Sequence, residues 1–219
     1  MSTALARFTR FDLTTIARTQ PLRVLLPLGF IIVFSVVFPV PGTGIVMGAA
    51  IAAVSASIPF QGDERGRLDT LYGIAPVGRT AVVLGRYVSM VVFAVVALGV
   101  GVAATLAVAA VRQQDVAWPF LATMLLVGAG AVFVAVAVQL PWFFALGYTR
   151  GRPMVYIPIA VIAVGAFLVG QTGLIGSSGS PADFAAPSGA VAAIVLGVGV
   201  VLLAASAALA VRLYRRRQL

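Results

Sequence analysis

Long apolar runs free of charge are the feature that most constrains this chain. No charged residue occurs over the 24 positions from Val88 to Val111, and Val116–Leu146 and Ala190–Val211 are equally bare. A helix that crosses a bilayer needs about 20 mostly apolar residues. Composition agrees. The chain is 61% hydrophobic and 10% charged, against roughly 45–50% and 25% for soluble domains. Backbone in lipid must satisfy its own hydrogen bonds, which favours helices. The expectation is an all-α integral membrane protein.

Six segments fit spanning helices, at about 24–40, 45–60, 88–111, 116–146, 155–169 and 190–211. The first, second and fifth are short. Pro39, Pro41 and Gly42 form a turn that suits an antiparallel hairpin of the first two. Pro141 marks a kink or the end of the fourth. Six crossings put both termini on one side, together with fourteen of the fifteen arginines, and leave Arg112 alone on the other. Basic residues favour the cytoplasmic side, so the chain reads as a multi-pass cell-membrane protein with both termini cytoplasmic. The net charge of +9 then needs no nucleic-acid partner. Arg7, Arg10, Asp12, Arg18 and Arg23 all precede the first long apolar run, the wrong order for a cleavable signal peptide.

Cys, His and Lys are all missing. That removes thiolate nucleophiles, Cys/His metal sites and the usual histidine base. It also removes the lysine of a Walker A loop. No metal or cofactor site is expected in the chain, and an enzyme acting on lipid is disfavoured. Charges are missing from the depths of the six segments, which argues against ion-coupled carriers and voltage sensors. Small residues such as Gly99, Gly101, Gly128, Gly130, Gly197 and Gly199 are frequent within them, as expected where membrane helices pack closely.

Two polar regions stand out. In residues 1–20, Leu5, Phe8, Phe11, Leu13 and Ile16 fall on one side of a helical wheel and Arg7, Arg10 and Arg18 on the other. This is the pattern of an interfacial amphipathic helix, its apolar side in the membrane. Asp12 falls inside the apolar sector and weakens the pattern. Residues 61–80 hold three of the six acids, Asp63, Glu64 and Asp69. Asp63 and Glu64 would accept bonds from the free N–H groups of a helix starting there. Leu68, Leu71 and Tyr72 would form an apolar stripe, Pro76 a turn, and Thr80 a cap for a helix beginning at Ala81. Such an elbow suits docking of a cytoplasmic partner, or a solvated connection between two helices. Residues 171–189 read as a Gly/Ser/Pro-rich loop on the far side. Residues 212–219 read as a basic tail touching anionic lipid.

The stretch DERGRLDTLYGIAPVGRTAVVLGRY resembles the integral-membrane subunit of an ABC-2 type transporter, in the branch of small six-helix permeases. Asp63-Glu64 match that family's acidic pair after the second span, and Leu71-Tyr72 match its apolar pair. Ala75-Pro76-Val77-Gly78-Arg79 match the proline–arginine element, and Val83-Leu84-Gly85-Arg86-Tyr87 match the entry to the third span. Ile74-Ala75 stand where Ser-Leu is usual, and Leu146-Gly147-Tyr148 fit a further pattern loosely. The amphipathic leader resembles the family's connecting helix.

The resemblance implies a permease subunit of an ATP-driven exporter. Loop 61–80 would be a coupling element seated on a separate soluble ATPase subunit, with Asp63, Glu64, Arg65, Leu71, Tyr72, Pro76 and Arg79 forming the coupling surface. ATP and Mg would bind in that partner, and a second membrane subunit, identical or different, would complete the transporter. The alternative is a membrane assembly or anchoring protein that docks a partner without transporting. The substrate is not legible in the residues.

Overall fold

The computed structural model describes residues 2–19, 21–38, 40–66, 78–157, 160 and 186–216. Every described element is helical. They are α1 (Ser2–Thr19), α2 (Pro21–Val37), α3 (Thr43–Ser55), α4 (Ile58–Gly66), α5 (Arg79–Val111), α6 (Trp118–Gly151) and α7 (Gly189–Arg216), with a short 3-10 turn at Arg152–Val155. By length and composition four stretches can cross a membrane: Thr43–Glu64, Arg79–Val111, Trp118–Val155 and Gly189–Arg215. The helix Pro21–Val37 is apolar but shorter.

The central helix is α5, which packs against α1, α2, α3, α6 and α7. Glycine makes its closest contact possible. A Cβ on Gly44 would collide with the Gly101 carbonyl, one on Gly101 with the Gly44 carbonyl, and one on Gly48 would lie 2.7 Å from the Ala97 oxygen. Thus α3 and α5 cross backbone on backbone at two small-residue positions one turn apart on each helix, as membrane helices do when association rests on close packing. At the α2–α3 turn Gly42 takes φ +84°, a left-handed conformation that suits glycine.

Relative helix direction follows from the contacts. The pairs Gly130–Val195, Phe133–Gly199, Ala137–Ser206 and Phe144–Tyr214 ascend together along α6 and α7. The two helices therefore run parallel, and the points joined by residues 152–188 lie at opposite ends of the bundle. The fifth expected span, 155–169, falls almost wholly outside the described residues.

Several boundaries differ from the sequence reading. The helix of the third span begins at Arg79, two residues before the Ala81 start read from the sequence. The helix start is capped by no side chain. Thr80 instead accepts a hydrogen bond from Arg215 at the end of α7, 3.0 Å away. The second segment divides at Ala56-Ser57 into α3 and α4. The fourth runs on through Pro141 to Gly151, and its backbone leaves helical values at Gly147, at φ 76° and ψ 177°.

Candidate functional site

The polar centre of the molecule lies where the starts of α2 and α5 meet α1 and the ends of α4, α6 and α7. Arg86 stands about two turns inside α5 and is 1% exposed. Its guanidinium reaches the Asp63 carboxylate of α4 at 2.7 Å and the Asp12 carboxylate of α1 at 3.4 Å. The ring of Phe60 lies beneath it, 5.1 Å from ring centroid to guanidinium carbon. A buried guanidinium is tolerated when carboxylates and hydrogen bonds replace its water.

Local sequence explains why the three helices meet here. Phe8 and Asp12 are one turn apart on α1, so they share a face, and both are buried. Gly85 and Arg86 are their counterparts on α5. A Cβ on Gly85 would run into the Phe8 ring, so the glycine lets α1 settle against α5, and Asp12 then comes to Arg86. Asp12 is thus no flaw in the buried side of α1. It is the polar contact of that side.

Glu64 does a separate job. Its carboxylate accepts the backbone N–H of Thr149 at 3.0 Å and the Thr149 hydroxyl at 2.6 Å. The backbone break at Gly147 leaves the N–H groups just beyond it without their usual helical acceptors. Glu64 acts on this restarted turn as a capping carboxylate does at a helix start. The sequence reading placed Asp63 and Glu64 at the beginning of a helix. They lie near the end of α4 instead, and their partners are on α5 and α6.

Aromatic rings fill the space below the ion pairs. Phe60 of α4 packs on Phe143 and Phe144 of α6, each at 5.0 Å between centroids. Phe144 meets Tyr214 of α7 edge-on at 5.4 Å. Polar links close the periphery: Arg23 donates to Gln61 at 3.3 Å, and Arg79 donates to the Arg215 carbonyl at 3.1 Å.

Next to Arg86, Tyr87 serves the interior. Pro141 has no N–H, so the carbonyl four residues earlier, Ala137, loses its helical donor. The Ser206 hydroxyl of α7 donates to that carbonyl. Tyr87 in turn lies 2.6 Å from Ser206. Since the Ser206 proton is committed to Ala137, Tyr87 is the donor. Three helices are joined at the proline gap by this chain, and the orphaned carbonyl is satisfied inside the apolar bundle.

Of the seven residues the motif singles out, Asp63 and Glu64 enter this centre and Arg79 lies at its edge. Arg65 falls within α4. Leu71, Tyr72 and Pro76 lie outside the described residues. The sequence reading missed Arg86 and Asp12 as partners, named Tyr87 only as part of the span-entry motif, and missed Thr149 and Ser206 altogether.

The family model described as ABC-2 family transporter protein matches residues 12–215. The chain belongs to the ABC-2 transporter family. Membership supports a transport role, and the charged centre of this ABC-2 chain coincides with the acidic pair and span entry that suggested the family. No curated protein and no solved structure matches it. Among the described residues of the ABC-2 chain, no group of three or more acidic, His or Cys side chains could hold a metal ion.

Proposed function

We propose that the chain is the permease subunit of an ATP-driven exporter and that a separate ATPase subunit pushes on it at the end of α4. In this reading α1 is the connecting helix, lying in the membrane interface with Arg7 and Arg10 outward. The α4 end and the residues after it form the coupling element, with Arg65, Leu71, Tyr72, Pro76 and Arg79 facing the partner. Both termini are cytoplasmic, and six spans cross the membrane. The parallel run of α6 and α7 supports that count, because an even number of crossings requires a return between them. ATP and Mg bind in the partner, and a second membrane subunit completes the translocation path.

The observation that carries the proposal is the pairing of Asp63 with Arg86. A displacement of α4 reaches α5 through that ion pair and α6 through Glu64 and Thr149. From α5 it reaches α7 through Tyr87 and Ser206. One short cytoplasmic element thereby holds every long described helix after it.

The test uses the chain coexpressed with its ATPase subunit and reconstituted in vesicles. D63N and E64A are expected to uncouple ATP hydrolysis from transport while membrane insertion stays intact. Unchanged coupling in both variants would overturn the assignment.

A further inference from the structure

The end of the bundle remote from Arg86 holds a cavity of about 580 Å³, within the usual size of small-molecule sites of about 300–1,000 Å³. It lies where α2 and α5 end and α3 and α6 begin. Two helix C-termini and two N-termini meet there, so their dipoles largely offset one another. Fixed side-chain charge then decides what the cavity prefers.

Most of the wall is apolar, from residues such as Val40, Leu106, Ala109 and Phe120. Three hydroxyls also face it, and all three protons are committed elsewhere. Ser35 donates to the Ile31 carbonyl at 2.7 Å, Thr43 to Val40 at 2.8 Å and Thr105 to Gly101 at 2.9 Å. These groups present only oxygen lone pairs inward. Asp115 adds a carboxylate to the lining and makes no hydrogen bond or ion pair among the described residues. The nearby Arg112 does not line the cavity and is turned to the Val36 carbonyl at 3.3 Å. Gln114 and Trp118 contribute only neutral donors, and the indole face of Trp118 attracts cations.

We propose that this cavity binds an amphiphilic organic cation, an alkylammonium whose chain lies along the apolar wall and whose head sits beside Asp115 and Trp118. Anionic amphiphiles are repelled by the same carboxylate. The site is independent of the coupling reading, since it lies at the opposite end of the bundle and uses none of the same residues.

The chain has two tryptophans, Trp118 and Trp142, so W142F leaves Trp118 as the sole reporter. The W142F protein in phosphatidylcholine nanodiscs would be titrated with dodecylamine, dodecanol and dodecanoate while Trp118 fluorescence is followed. A saturable change with dodecylammonium is expected, tighter than with the other two by about fivefold or more, the scale of one screened charge contact. D115N should remove most of that preference. A109F, which narrows the cavity without altering charge, should weaken the saturable response and keeps the test decisive if D115N assembles badly. Equal responses to the three amphiphiles, or unsaturable responses that reflect bilayer partition alone, would overturn the proposal. So would a D115N protein that still prefers the amine.

Discussion

Asp63 and Arg86, on different helices and 23 positions apart in sequence, meet at 2.7 Å in the interior, with Asp12 completing the group from a third helix. Removing the guanidinium takes that partner from two buried carboxylates, whereas neutralising one carboxylate leaves the other in place. R86M is therefore expected to cost about 3–5 kcal/mol, the scale for breaking a buried pair from one side. D12N, whose contact is longer at 3.4 Å, should cost clearly less. Thermal unfolding in mild detergent reads the difference. Equal midpoints for wild type and R86M would show that the group carries no stability.

The contact between Glu64 and Thr149 predicts a graded series. E64A removes both acceptors and should cost about 1 kcal/mol, as loss of a capping side chain does. E64Q keeps a carbonyl for the Thr149 N–H and an amide that can donate to the hydroxyl, so it should retain most of the stability. Limited proteolysis near Gly147 offers a local readout. Faster cleavage in E64A than in E64Q is the expected order, and the reverse order would exclude the capping role.

A double-mutant cycle tests the hydroxyl chain. S206A leaves the Ala137 carbonyl and the Tyr87 hydroxyl without their partner and should cost about 1–3 kcal/mol. P141A restores an N–H that can bond to Ala137 within the helix. In the P141A background the S206A cost should fall by about 1 kcal/mol, a coupling typical of residues sharing one hydrogen-bond network. Strict additivity would show that Ser206 does not compensate for the proline.

Glycines in the same bundle should differ sharply. G44A and G101A place a methyl group against the opposing backbone and are expected to lose about 1–3 kcal/mol by overpacking. A methyl group added at Gly99 or Gly197 would meet nothing within 4 Å, so G99A and G197A should be neutral within about 0.5 kcal/mol. Unfolding midpoints that fail to separate the two pairs would contradict the close crossing of α3 and α5.

The helical, multi-span character was legible because charge-free runs leave few other ways to satisfy backbone in lipid. The family was legible from the acidic pair and the span entry. The ion-pair partners were not. Arg86 falls inside the helix read from Ala81 onward, but no local pattern marks it as buried, and its two acids sit on other helices. Asp12 looks misplaced on the buried side of α1 because its reason lies 74 positions further along the chain. Ser206 and Thr105 look alike in sequence, as small polar residues in apolar helices. Only packing shows that Ser206 serves another helix's carbonyl while Thr105 serves its own.

Site-directed photo-crosslinking in the assembled complex tests the coupling account most directly. A photoreactive amino acid at position 65, 71 or 79 should join the chain to the ATPase subunit, and the same probe at position 113 or 115 should not. Cross-links to the ATPase from 113 or 115, with none from 65, 71 or 79, would contradict it.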